Sequence, residues 1–227
     1  MSVTAETTST HTRPGAERSS YRLSRRDFAI GTAIAVAMAV FFAIMSSGLS
    51  LIVTFVPGVA AAWLVFAVIY LRGIALRTTE KLVPLFFIAL VIQFLHFAEE
   101  FNTGFASQFP VLYGGDPYSA GFFVAFNMVS YAVFTLSALL VFYRGAGFLL
   151  MPVLFYVMYG AIGNAITHTW WVANAGQYFP GFYTAQLYWI AGPLLLYRLL
   201  DSRRNTVAAI VVLAAVLVST VTFFMAT

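Results

Sequence analysis

Long apolar runs separated by short polar breaks dominate the chain. They fall at roughly 28–48, 58–76, 82–101, 119–143, 148–172, 183–200 and 206–226. Each is close to the ~20 residues that a helix needs to cross a bilayer. The breaks at Pro57-Gly58, Arg77 to Lys81, Asn102 to Pro117, Arg144-Gly145, Asn174 to Gly181 and Asp201 to Asn205 carry the Gly, Pro, Asn and charge that end such helices. The pattern therefore predicts an all-α polytopic membrane protein, a seven-helix transmembrane bundle over 27–227. A polar tail over 1–26, rich in Ser, Thr, Arg and Glu, is expected to be disordered. Its end, Ser24-Arg25-Arg26-Asp27-Phe28, reads either as a twin-arginine export signal or as the basic flank of the first span.

Composition agrees. Of 227 residues, 61% are hydrophobic and 9% charged, too few polar side chains to cover a water-soluble surface. The absence of cysteine rules out disulfides, thiolate ligands and cysteine nucleophiles. The net charge of +4 has a topological origin. With seven spans, every Lys and Arg falls in the tail, in the second, fourth or sixth loop, or at the helix ends beside them. By the positive-inside rule the N-terminus is cytoplasmic and the C-terminus outside. Nucleic acid is thereby dropped as a partner, and a multi-pass protein of the cell membrane, surrounded by lipid, is the expectation.

Two stretches depart from topology. Gln93-Phe94-Leu95-His96-Phe97-Ala98-Glu99-Glu100 carries a histidine and two carboxylates at spacings of three and four, so the imidazole can share a helix face with both. Asn164 and His168 are also four apart. At 1.5 Å per residue His96 lies roughly 21 Å and Glu100 roughly 27 Å along the third span, with Asn164 at roughly 24 Å and His168 at roughly 30 Å along the fifth. Both spans run outward, so the clusters reach a similar depth and predict one shared site. Ionisable groups at that depth turn inward to a partner, an ion or water. His96, Glu99, Glu100, Asn164 and His168 are the catalytic candidates. His96, Glu100 and His168 form the ligand set for one divalent metal, zinc or iron; cofactor-free proton chemistry is the alternative. Around them Gln93, Asn127, Tyr131, Trp171 and Tyr183 are candidates for substrate binding. Trp170 and Trp171 read either as interfacial anchors or as cation–π support. Tyr178, Pro180, Gly181, Tyr183, Thr184 and Gln186 form either a lid or an aromatic belt, and Asp116 is a turn residue.

The run His96-Phe97-Ala98-Glu99-Glu100 resembles the motif of the HXXEE-domain membrane proteins, whose second polar block resembles Asn164 to His168. Over roughly 35–200 the resemblance implies a polytopic membrane fold with these residues at its site. A membrane His and Glu with nearby Asn and Trp is similar in style to sterol isomerases of the emopamil-binding type, and small seven-span terpene cyclases also use buried acids. A retinal protein is excluded, because the only lysine, Lys81, lies in a cytoplasmic loop. Two functions lead, ahead of an accessory or assembly role. One is an enzyme on a lipid-like or isoprenoid substrate in an outward-opening pocket, by acid–base isomerisation or cyclisation or by metal-assisted chemistry. The other is a divalent-metal or proton carrier or sensor.

Overall fold

The computed structural model describes residues 20–77 and 82–225, so the tail expectation over 1–19 and the lysine at 81 lie outside the described residues. Among the described residues the fold is all-α, with six helices long and apolar enough to cross a membrane. These are α1 (Arg25–Met45), α2 (Ser50–Leu71), α3 (Leu82–Thr103), then, after short α4 (Phe105–Gln108), α5 (Ala120–Arg144), a continuous rod over Gly147–Ala175, and a C-terminal helix. The rod comprises α6 (Leu150–Phe155), a π-helical stretch Tyr156–Gly163 and α7 (Asn164–Ala175). Short α8 (Phe182–Ala185) and α9 (Tyr188–Leu200) precede the C-terminal α10 (Arg203–Phe223).

The rod is the axis. Its most apolar window is 83% buried, against 17% for α1 and 22% for α10, so the other helices shield it from lipid. Exposed Ile44, Leu64, Val129, Ile190 and Val212 give the outside an apolar coat suited to hydrocarbon. Helix ends gather in two places. Near one, Arg72 donates to Asn205, and the Phe148 amide reaches Asp27. Near the other, the Ser47 amide donates to the Tyr118 hydroxyl at 2.8 Å and Tyr178 donates to Glu99.

Three expectations need correction. The Pro57-Gly58 break does not exist: α2 runs through it, and the chain turns at 46–49 instead. Pro57 is tolerated as membrane helices tolerate proline. Gly58 serves close packing, since a Cβ there would stand 2.6 Å from Tyr159 Cβ of the rod. The expected span 183–200 is split. Its continuous helix, α9, has 13 residues, about 20 Å, because the segment before it forms a cap over the site. Thirdly, residues 20–26 are folded, not a tail. Ser20–Tyr21 pairs with Leu76–Arg77, and Ser24 is the N-cap of α1 in a capping box with Asp27. Tyr21 also donates to Asp27. The Ser-Arg-Arg-Asp run is thus a helix start with Arg25 and Arg26 exposed.

Candidate metal centre and its cavity

Four residues make one helical turn, so His96 and Glu100 project from the same face of α3, toward the rod. His168 comes from α7, beyond the π-helical stretch, whose wider turns take up an extra residue and turn the following face. All three side chains are buried, both histidines completely. His96 Nε2 lies 3.3 Å from Glu100 Oε1 and His168 Nε2 lies 3.4 Å from the same oxygen. The two rings meet edge to face, 4.7 Å between centroids. One ligand atom from each of the three residues falls within 4.8 Å of the others.

Those separations are long for charge-assisted hydrogen bonds, which fall near 2.7–2.9 Å. Neither Nε2 makes a regular hydrogen bond. They match another geometry. Ligand atoms held about 2.0–2.1 Å from zinc occupy corners of a tetrahedron about 3.3–3.4 Å apart. Where the third separation exceeds that edge, a bound ion would draw the two rings together.

The surroundings of His96 fix its tautomer. Glu99, next in sequence to Glu100, points the other way, into the 178–184 segment. It accepts from Tyr178 Oη at 2.8 Å, the Tyr183 amide at 3.0 Å, the Thr184 amide at 2.8 Å and the Thr184 hydroxyl. Having given its one proton to Glu99, the Thr184 hydroxyl can only accept from His96 Nδ1, 3.0 Å away. Neutral His96 therefore carries its proton on Nδ1 and presents the Nε2 lone pair to a carboxylate oxygen. Two lone pairs facing each other at 3.3 Å are relieved either by a proton on Nε2 or by a metal ion between them, and an imidazole oriented through its other nitrogen is the usual support of a metal ligand.

Gly181 closes the site. Its φ of +86° is open to glycine, and an added Cβ would stand 2.6 Å from His168 Cε1 and 2.9 Å from both Glu100 Cγ and His96 Cε1. The Tyr178–Thr184 segment is thus a lid whose backbone touches all three residues or their support. Burial pushes the Tyr178 phenol up, with Glu99 beside it adding to the effect.

On the other side Glu100 forms part of the wall of a narrow cavity. Phe55, Phe105, Phe123, Tyr159 and Trp171 supply most of its aromatic surface. Polar groups sit on one flank: Tyr188 donates to Gln93 at 2.7 Å, Gln93 to Tyr131 at 3.0 Å, and Tyr131 to Asn127 at 2.9 Å. Asn164 lines the cavity and donates to the Gly160 carbonyl.

Of the expected site residues, His96, Glu100 and His168 meet at one point. Asn164, Gln93, Asn127, Tyr131 and Trp171 line the cavity. Trp171 is buried against His168 and hydrogen-bonds Tyr113, which excludes its reading as an interfacial anchor. Glu99 belongs to the lid, away from the convergence point. Tyr183 takes part only through its backbone amide; its side chain, 68% exposed and stacked on Tyr178, faces away from the cavity. The sequence placed Gly181 and Thr184 in a lid or an aromatic belt without a specific role, because α8 and its N-cap are too short to carry a helical repeat. Comparison with protein-family models, curated proteins and solved structures returns no match.

Proposed function

We propose that the chain is an integral membrane enzyme that acts on a lipid-like substrate at a divalent metal, zinc or iron, held by His96, Glu100 and His168. The observation that carries this reading is the pair of buried, hydrogen-bond-free Nε2 atoms facing one Glu100 oxygen in the wall of an aromatic cavity. Three protein ligands with a further position open toward a cavity is the pattern of catalytic sites. A metal bound there supplies Lewis acidity toward a substrate oxygen or a water. The protein's own residues do the rest. Thr184 and Glu99 orient His96, Gly181 and the lid exclude outside water, and Asn164 with the Gln93–Tyr131–Asn127 chain offers hydrogen bonds to a polar head. The aromatic wall fits an apolar tail.

That wall also favours a second reading, in which Glu100 and the histidines handle protons alone and the rings shelter a carbocation during isomerisation or cyclisation of an isoprenoid. A carrier finds less support: among the described residues Glu100 is the one carboxylate, imidazole or basic side chain lining the cavity, and its far end, at Phe134 and Phe155, meets only the buried phenol of Tyr156. Seven crossings are part of the proposal, with α9 and its preceding lid forming the sixth, the N-terminus cytoplasmic, the C-terminus outside, and the cell membrane as location.

Elemental analysis of the purified protein beside a His96→Ala, His168→Ala double variant tests the metal. About one equivalent of zinc or iron, lost in the variant, is the expected outcome. No bound metal in the intact protein after incubation with either ion would overturn the metal and leave the proton reading.

A further inference from the structure

The cavity over Glu100 is long and follows α5. On α5 its lining runs from Phe122 to Phe134, about 18 Å at 1.5 Å per residue, more than half of a hydrocarbon core of about 30 Å. The cavity's single carboxylate, Glu100, stands at one end beside Asn164, the amides and phenol of Asn127, Tyr131 and Gln93 bond one another along one flank, and the rest of the wall is largely aromatic. Such a shape fits an extended hydrocarbon chain with a small polar head better than a fused-ring or compact ligand.

A second hollow lies on the lipid side of α5. Ile34, Met38 and Phe41 of α1 form one bank, and Ala125, Val129 and Val133 of α5 the other. The two helices pack on the rod rather than closely on each other, which leaves the groove between them. Phe122, Phe126, Ser130 and Phe134 line both hollows. The partition is therefore a single layer of side chains. Phe126 is its centre, half-buried, with rings of Phe41, Phe42, Phe55 and Phe122 at 5.6–6.1 Å. Ser130 returns its hydroxyl to the Phe126 carbonyl at 2.7 Å, so the partition shows hydrocarbon on both sides. Both helices are candidate membrane spans, so bilayer lipid is what covers the groove. The lid, by contrast, is pinned to Glu99 by four hydrogen bonds.

We propose that the α1–α5 groove is a lateral portal through which a single-chain amphiphile, an alkyl or prenyl chain with one small oxygen-bearing head, passes from the bilayer into the cavity, with Phe126 as the gate. This rests on the reading of the cavity as a substrate site and names the substrate's shape and route. The gate needs only a ring rotation about χ1 and χ2, whereas access from the water side would break the Glu99 contacts. The head then reaches Glu100 while the tail stays among the phenylalanines.

The test uses the full-length protein in phosphatidylcholine vesicles containing hexadecanol with a diazirine near the chain end. Irradiation and peptide mapping should place adducts on Phe155 and Tyr159, toward the cavity's far end, as well as on Val129 of the groove. Ser130→Trp, which fills the partition, should cut the cavity adducts at least tenfold and leave those on Val129. Phe126→Ala should raise the cavity adducts at least threefold, and serves as the second variant should the tryptophan disturb folding. Adducts confined to the groove in the wild-type protein, or cavity adducts indifferent to both substitutions, would overturn the portal. Metal content read on the same preparations separates the two readings: retained metal with no cavity labelling sinks the portal alone.

Discussion

Glu99 and Glu100 are neighbours in the chain and opposites in the structure: Glu99 accepts four hydrogen bonds from the lid, while Glu100 places one oxygen within 3.3–3.4 Å of two histidine nitrogens. One residue along a helix is a turn of about 100°, and that rotation assigns them different work.

Substitution should separate the pair. Glu100→Gln removes an anionic ligand and should lower metal affinity by more than the ~10–100-fold that the loss of a supporting group costs, with turnover falling in parallel. Glu99→Gln keeps the side chain's size and part of its acceptor capacity. It should retain metal with affinity reduced within that ~10–100-fold range. Isothermal titration with zinc on both variants checks this, and equal losses would contradict the division of roles.

Thr184→Val keeps the shape and deletes the hydroxyl between Glu99 and His96. Metal affinity should fall about 10–100-fold, and Thr184→Ser should restore most of it. A purely structural role would respond to the lost methyl of serine as much as to the lost hydroxyl of valine.

Gly181→Ala should be among the most damaging single-methyl changes. The positive φ alone costs about 1–3 kcal/mol, and the Cβ would collide with His168, Glu100 and His96 at once. Loss of metal together with a lower thermal midpoint in detergent is the expected result. Gly176→Ala, at a positive φ with nothing within 4 Å of its added Cβ, is the control for strain without collision.

On the opposite face of the protein, burial and the Asp27 carboxylate push the Tyr21 phenol up to about 12 from an ordinary 10.0. The folded state thus holds this proton more tightly than the unfolded one. The stabilisation is fully present below pH 10 and is lost as pH rises from about 10 through about 12. The difference between wild-type and Tyr21→Phe unfolding midpoints should shrink as pH rises over that window, and a difference unchanged from pH 8 to 12 would show that the Tyr21 proton does not stabilise the fold.

Much of this was legible in the chain. Apolar runs gave the helical membrane fold, and the scarcity of ionisable groups within them singled out His96, Glu100 and His168. Pro57-Gly58 misled because proline and glycine end helices in water, whereas in lipid a glycine also admits a neighbouring ring, here Tyr159. Glu99 was grouped with Glu100 because i, i+3 and i, i+4 both count as one face, and the choice between them is made by Thr184 and Tyr178 in a turn 80 residues away. The cavity had no periodic signature, since phenylalanines facing it and phenylalanines facing lipid are the same letter.

The π-helical stretch Tyr156–Gly163 sets the phase between two halves of the central rod. An α-helix deletes or gains one residue at the cost of rotating everything beyond it, but a π turn already stores that residue as slack. Removal of a single residue between 156 and 163 would draw on that slack and leave His168 close to its phase with Glu100, whereas the same deletion in α6 would rotate His168 by about 100° away from it. The rod is therefore a vernier, and the metal point exists at one of its settings.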